Sequence, residues 1–511
     1  MQTLAAIALP IAFMVFAYHR VRRYLHIFQQ EEYDSPRFLA WIRDSRTFDK
    51  RLTVVLAAIA IPSWTISALI GLGTTVPGPA TTLTLIAVAA ALLIAACLEP
   101  NPEQAAKKKL AMTQRATRIL YVALALAAVL AIALALPPLP APWHPLIWIA
   151  AVQSIPLTLV LANLLLAPVE KNIQDGFRKS AEARLATVAP KTIGITGSFG
   201  KTSVKHILGH VMQMNTTTLY TPGSVNTVMG ISRIINERLA DNCRYFIVEM
   251  GAYGIGSIAR LCKFTPPDHG IITSIGAAHY ERFKDLDTVA RAKFELAEAV
   301  TSRNGKLIIH ESVLDQPYAK SFVDADRPRF IVVGTSEAAD VRITSIEQTR
   351  QGLHVGITHG PNTASANSSN PDTHTLFAPL FGHHHAHNMA LSYAFAAEMG
   401  IPAPRIIQAL RSTPQIAHRL ELKSHASGAV YLDDAYNSNP QGFANALDLL
   451  DSLKHENGRR VVVTPGMAEL GARHDGAHRE IGIKAAHTAD ILIAIKPERI
   501  PTLISAFRNE A

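Results

Sequence analysis

At 511 residues the chain is too long for one ordinary hydrophobic core, so two or three folding units are expected. A formal net charge of +9 would fit a nucleic-acid binder, but the early basic residues lie between apolar runs. Membrane topology accounts for them better, and no nucleic-acid partner is expected. The three cysteines, Cys97, Cys243 and Cys262, show no CxxC spacing, which argues against a disulfide scaffold or a Cys-rich zinc site and suits a reducing compartment.

Nearly all long apolar runs precede about residue 168. Five of them, at about 2–18, 52–72, 80–97, 119–136 and 146–167, approach the roughly 20 apolar residues that a hydrocarbon core demands. The first could be read as a signal peptide, but it lacks a basic start and a small-residue cleavage site. Lys and Arg crowd two loops: Arg20, Arg22, Arg23, Lys50 and Arg51 flank the first, and Lys107, Lys108, Lys109, Arg115 and Arg118 fill the second. The alternate loops, GTTVPGP and PPLPAPWHP, have none. Because basic loops stay in the cytoplasm, the N-terminus is expected outside, with residue 170 onward inside. No Asp, Glu, Lys or Arg lies within the runs, so an anchor or lipid-facing platform is expected rather than a pump. Residues 24–42 read equally as an interfacial helix or a solvated loop.

After a polar connector comes KTIGITGSFGKTSVKHILGHVMQ, a β-branched strand, a Gly-rich turn and an amphipathic helix. This is the setting in which backbone N–H groups and a helix N-terminus hold phosphate. Gly197 and Gly200 allow close approach, Ser198, Phe199 and Ser203 complete the loop and first turn, Lys201 offers a point charge, and Thr202 offers a hydroxyl to Mg²⁺. The strict GxxxxGK spacing is absent, since Ile195 stands five positions before Gly200.

Further along, RYFIVEMGAYGIGS reads as a strand ending in Glu249, well placed to hold a metal against phosphates. The segment HGIITSIGAAHYERFKDLDTVARAKFELAEAV contains a strand, then His279, then Lys293 and Glu295 on a helix. In FGHHHAHNMALSYAFAAEMG, the neighbouring His383, His384, His385 and His387 cannot all converge on one ion, so zinc is not expected. PNTASANSSNPDTHT reads as a polar loop tip. Finally come HRLELKSHASGAVYLDDAYNSNP and VVVTPGMAELG.

The TGxxGKT loop, the strand-borne Glu249, the His-then-AKxE segment, Arg419 before DDAYNSNP, and GMAELG occur in an order that resembles the Mur ligases, and specifically their MurF branch. The resemblance spans about residues 190–495. The apolar runs give an α-helical membrane region at 1–170, and the resemblance implies a P-loop α/β central domain with a mostly parallel sheet at 171–414 and a smaller Rossmann-like C-terminal domain at 415–511. It also implies an ATP-dependent amide-bond ligase with ATP and two Mg²⁺, working through an acyl phosphate on the cytoplasmic membrane face of a bacterium.

By resemblance, His279 and a carboxylated Lys293 would serve the second Mg²⁺, and Asn388 would contact adenine. Arg419 would reach the phosphates, and Asp433 or Asp434 the ribose. Ser224, Asn226, Thr227, Tyr436, Asn437 and Asn439 would line the substrate. The acceptor would be a muramoyl peptide, UDP-linked or lipid-linked, and the amine a D-Ala-D-Ala type dipeptide. Membrane lipid and other cell-wall proteins are candidate partners. A poly-amino-acid ligase shares the loop and lysine but not DDAYNSNP and GMAELG, and a scaffold without catalysis would not need Lys201, Glu249, His279 and Lys293 together.

The sequence also departs from the family. Nothing before Lys191 resembles its uridine-recognition domain, TPGSVNTVMGIS has Ser224, Asn226 and Ser232 where the family usually has a motif of paired asparagines and a proline, Ser257 stands at an often acidic position, and the last domain is short.

Overall fold

The computed structural model describes residues 2–44, 49–69, 79–100, 109–135, 143–276, 285–360, 373–435, 438–454, 458–467 and 470–510. The chain divides into two compact units, Met1–Asp175 and Gly176–Ala511.

The first unit is helical throughout: α1 (Gln2–Gln30), α2 (Ser35–Asp44), α3 (Lys50–Leu69), α4 (Pro79–Leu98), α5 (Gln114–Ala135) and the start of α6 (Trp143–Val188). Apolar residues surround these helices rather than forming one stripe, as in buried or membrane helices. On α5 the buried residues Ala116, Ala123, Ala127 and Ala131 share one face. Such small side chains permit close helix approach, and α1 packs against both α5 and α4. Phe13 meets Trp148 with ring centroids 5.0 Å apart.

By length and composition, Gln114–Ala135 and Pro145–Val188 could cross a membrane, with mean hydropathies of 2.4 and 2.0, while Thr82–Leu98 is apolar but shorter. Ion pairs link several of the helices and their connecting segments. Arg20 pairs with Asp49 and Glu99, Arg23 reaches Glu99 at 3.1 Å, and Arg118 reaches Glu170 at 2.7 Å. The residues expected at 24–42 as either interfacial helix or loop are largely helical, in α1 and α2.

In the second unit β1 (Lys191–Thr196), β2 (Thr218–Tyr220), β3 (Tyr245–Glu249), β4 (His269–Ile272), β5 (Leu307–His310), β6 (Phe330–Gly334), β7 (Val341–Gln348), β8 (Leu353–His359) and β9 (Thr373–Ala378) form one sheet. Its order is β2-β3-β1-β4-β5-β6-β7-β8-β9, parallel up to β7 and antiparallel beyond it. The β-branched strands suit a sheet covered on both faces. On one face Ile193, Ile195 and Ile247 pack with α7 (Lys201–Asn215) and α12 (His384–Glu398). On the other, Phe246 and Val248 pack with α8 (Val228–Arg238), α9 (Ser257–Phe264) and α10 (Leu286–Thr301). Helices α11 (Pro317–Ala325) and α13 (Ala403–Arg411) complete the layer.

The C-terminal segment has an antiparallel pair, β10 (Glu421–Ser424) with β11 (Val430–Asp433), then α14 (Pro440–Ser452). A single βαβ unit follows, β12 (Val461–Thr464), α15 (His474–Thr488) and β13 (Ile491–Ala494), closed by α16 (Pro501–Glu510). Among the described residues the expected Rossmann-like sheet is therefore two separate two-stranded sheets, because β11 does not pair with β12. Phe443, Leu447, Val462, Ile481 and Leu503 bury the core between the parallel pair and its helices.

Candidate active site

The C-terminal ends of the neighbouring parallel strands β3, β1 and β4 lie side by side, at the edge where open α/β sheets bind ligands. The chain leaves β1, turns through Gly197–Gly200 and enters α7 at Lys201. The turn is fastened to the end of β4. The Ser198 amide donates to the Ser274 carbonyl at 2.8 Å, the Phe199 amide to Ser274 Oγ at 2.9 Å, and Ser198 Oγ to the Gly276 carbonyl at 2.9 Å. Glycine is required at two points. At Gly197 (φ 152°) a Cβ would lie 1.9 Å from Thr273 Oγ1, and at Gly200 (φ 82°) it would lie 2.8 Å from Asn388 Oδ1. Asn388, on α12, thus abuts the phosphate turn directly. Lys201 curls back over the loop, donating to the carbonyls of Gly197 at 2.6 Å and Ser198 at 3.2 Å. Ser203 is buried in the first turn of α7.

One turn on, Thr202 Oγ1 donates to Glu249 Oε2 at 3.0 Å. A hydroxyl and a carboxylate are hard oxygen donors, the type that suits Mg²⁺. Glu249 is nearly inaccessible, and its charge is matched by Lys205, whose Nζ lies 2.8 Å from Oε2. Lys205 was not singled out from sequence, although its i+4 relation to Lys201 puts both on one helix face. Asn226 Nδ2 donates to Glu249 Oε1 at 3.4 Å, and Tyr253 Oη to Asn226 Oδ1 at 3.3 Å. Ser224 is exposed on the same loop, whereas Thr227 caps α8 by accepting from the Gly230 amide.

Lys293 is buried on α10, and burial followed by the charge of Lys201 pushes its pKa well below the usual lysine range. Lys201 is lowered too, chiefly by desolvation, with Glu249 opposing and Arg419 and Lys205 adding to the fall. Glu295 is engaged elsewhere: its carboxylate accepts from the Gly256 amide and, at 2.8 Å, from the Ala259 amide, so it caps α9. His279, Tyr436 and Asn437 lie outside the described residues.

Arg419 precedes β10 in the C-terminal segment, yet its charge acts on Lys201, His384 and His385 of the central domain. Asn445 of α14 meets His384 at 3.4 Å, a second link between the two parts. Burial comes first in holding His384 down at about 4, so this histidine is neutral at pH 7. His387 pairs with His310 at 2.9 Å.

The two aspartates separate clearly. Asp433 accepts from Lys423 at 2.6 Å and from His418 at 2.8 Å. Burial would raise its pKa, but these partners outweigh it and the net shift is downward. Among the described residues Asp434 accepts a 3.3 Å bond from the Leu420 amide, and burial lifts it to about 6 despite that bond and Arg419. Asn439 caps α14 through the Gly442 amide. Among the described residues, one His/acid grouping could hold a metal, His418–Glu421–Asp433, but the Lys423 ammonium already bonds both of its carboxylates.

Comparison with known proteins agrees with this geometry. The Mur ligase middle domain model matches residues 195–396, and the Mur ligase glutamate ligase domain model matches 418–510. A UDP-N-acetylmuramoyl-tripeptide--D-alanyl-D-alanine ligase of Bacillus subtilis strain 168 is 28% identical over 302 residues, which is 59% of this chain and 62% of that one. The enzyme of the same name from Escherichia coli K12 is 28% identical, covering 67% and 71% of the two chains. The chain thus spans about three fifths of the first of these relatives.

A MurF crystal structure from Acinetobacter baumannii superposes with a TM-score of 0.57 at 25% identity, over 66% of this chain and 70% of that one. A Thermotoga maritima MurF ligase in complex with ADP, at 22% identity and a TM-score of 0.52 over 66% and 84%, shares the fold. With the phosphate turn, the Thr202–Glu249 pair, the buried Lys293 and Arg419 all falling within the two matched segments, the chain belongs to the Mur ligase family.

Proposed function

We propose that the chain is an ATP-dependent, ADP-forming ligase that adds a D-Ala-D-Ala type dipeptide to a muramoyl peptide during peptidoglycan-precursor synthesis. The observation that carries this reading is the meeting of Lys201, Lys293 and the Thr202–Glu249 pair beside one phosphate turn, with Arg419 from the C-terminal segment acting on Lys201. An acceptor carboxylate oxygen would attack the ATP γ-phosphorus as the bond to ADP breaks, giving an acyl phosphate. The amine would then attack the acyl carbon, phosphate would leave with the bonding pair, and the amine would release a proton.

In this scheme Lys201 and Arg419 offset charge at the moving phosphoryl group. Thr202 and Glu249 would hold a Mg²⁺, which supplies charge neutralisation at the phosphates. Asn388, beside Gly200, would contact the adenine. Of the two aspartates, Asp434 would accept from the ribose hydroxyls. The lowered pKa of Lys293 favours its neutral amine, the form that adds to CO₂, so carboxylation is part of the proposal and would serve a second Mg²⁺ with His279.

The helical first unit belongs to the same reading. All five apolar runs would cross a bacterial cytoplasmic membrane, with the ligase domains in the cytoplasm. The ion pairs support this, because Arg20, Asp49, Glu99, Arg118 and Glu170 flank the run ends that alternating crossings would put on one side. A lipid-linked acceptor is favoured by the helical unit lying ahead of the matched segments, which begin at residue 195.

The test is to incubate detergent-solubilised full chain with ATP, Mg²⁺, D-Ala-D-Ala and either soluble UDP-muramoyl tripeptide or its lipid-linked form. ADP release that needs both carboxylate and amine, with an amide product of the right mass, is expected. ATP turnover indifferent to both would remove the ligase reading. Soluble acceptor consumed as fast as by an ordinary MurF would remove the lipid-linked variant alone.

A further inference from the structure

Lys205 has no part in the scheme above, yet it is among the largest fully buried side chains of the protein. An ammonium group is costly to bury without partners. Its two partners lie on different elements: Glu249 Oε2 at the end of β3, at 2.8 Å, and the Gly223 carbonyl in the loop leading to α8. That loop carries Ser224 and Asn226, the candidate acceptor contacts. It is joined to the carboxylate a second time by Asn226 Nδ2 and to the β3 strand by the Glu249 amide donating to Thr221 Oγ1 at 3.3 Å. A Cβ at Gly223 would meet nothing within 4 Å, so at this residue the lysine bond to its carbonyl, and not packing at its own Cβ position, ties the turn inward.

We propose that Lys205 is a positioning residue that couples the metal-nucleotide end of the site to the acceptor loop, residues 221–226. Thr202 and Lys205 both donate to the same oxygen of Glu249. Any ligand that draws on Thr202 and Glu249 shifts the hydrogen-bond load onto Lys205, and through Lys205 onto the Gly223 backbone. Nucleotide engagement is thereby passed to the loop that would receive the acceptor, which favours ordered loading. The proposal rests on the ligase reading only in assigning that loop to the acceptor.

The experiment uses the full chain in detergent with Mg²⁺ and a non-hydrolysable ATP analogue, without acceptor. Nucleotide binding is measured by calorimetry, and backbone hydrogen exchange is followed over residues 221–226. In the unsubstituted protein the analogue is expected to slow exchange there about five- to tenfold, the lower range of ordinary site-to-site coupling. In Lys205→Met, which keeps the side-chain length, the analogue is expected still to bind but to leave exchange in the loop unchanged. Loop protection that persists in Lys205→Met, or nucleotide binding without protection in the unsubstituted protein, overturns the coupling. The second comparison needs no variant, so a misfolded Lys205→Met would not rescue the idea. Failure of the unsubstituted protein to bind the analogue would strike the ligase reading instead.

Discussion

The sharpest prediction concerns Asp434. Burial lifts its carboxyl to about 6, against opposition from the Leu420 amide and Arg419, with Asp433 adding to the rise. Only the carboxylate accepts from ribose hydroxyls in the proposed role, so the competent fraction falls as pH drops through 6. At pH 5 roughly a tenth of the molecules would be ionised, and at pH 7.5 nearly all, so apparent nucleotide affinity should weaken about tenfold between them. The phosphates of ADP also titrate in this range, which makes Asp434→Asn the necessary reference: its phosphate dependence is the same, but this component is gone.

The assay is calorimetric ADP binding to both proteins at several pH values, read as the ratio of their dissociation constants. Stability gives an independent sign check. A raised carboxyl pKa means that the folded state holds its proton more tightly than the unfolded chain, so stability from this group is greatest at low pH and declines between about 4 and 6. Asp434→Asn should therefore melt higher than the unsubstituted protein at pH 8 and equally at pH 4. A flat ratio of dissociation constants, together with identical melting at pH 8, would refute the placement of a buried carboxylate here.

Gly197→Ala forces a methyl to within 1.9 Å of Thr273 Oγ1, so the phosphate turn must leave the end of β4, and nucleotide affinity should fall roughly 10- to 100-fold by fluorescence titration. Glu295→Ala removes the carboxylate that caps α9, and thermal unfolding should register a loss of about 1 kcal/mol with nucleotide affinity unaltered. Arg20→Leu removes the cation paired with Asp49 and leaves Glu99, 5% exposed, with Arg23, and breaking such a buried network costs on the order of 3–5 kcal/mol. Melting in detergent should fall sharply.

Much of the central domain was legible because its signals are local. The β-branched run before Gly197 and the amphipathic helix after it required no knowledge of distant partners, and Thr202 and Glu249 do meet at 3.0 Å. Lys205 was passed over because an isolated helix lysine reads as solvated, and only the fold shows that β3 and the Gly223 loop enclose it. The choice between Asp433 and Asp434 was likewise closed to the sequence, since it depends on Lys423 and His418 crossing from β10 and the loop before it. Glu295 shows the converse: two residues from Lys293 in a motif, it points to a neighbouring helix terminus instead. The C-terminal segment was expected as one sheet because its β-rich stretches have the right order, but pairing between strands is a long-range property that order does not fix.

Charge provides the link between the architecture and the chemistry. Glu249, Arg419 and Lys205 all act on Lys201, Lys205 pairs with the buried Glu249, and the charge of Lys201 also reaches the buried Lys293. Desolvation leads the downward shift in all three lysines, so the positive charge beside the turn is poorly solvated. A polyphosphate relieves that strain at the turn, which makes nucleotide binding favourable before any transition-state effect is counted. Lys293 stands apart, because burial and the charge of Lys201 lower its pKa well below the usual lysine range, which favours the neutral amine. Conversion to a carbamate would reverse its sign and turn a repulsive neighbour of Lys201 into an attractive one. The same burial that makes Lys293 a poor cation therefore prepares it to become an anion. Consequently, adding bicarbonate should raise nucleotide affinity in the unsubstituted protein and do nothing in Lys293→Met; an equal response in both would mean that Lys293 stays an amine.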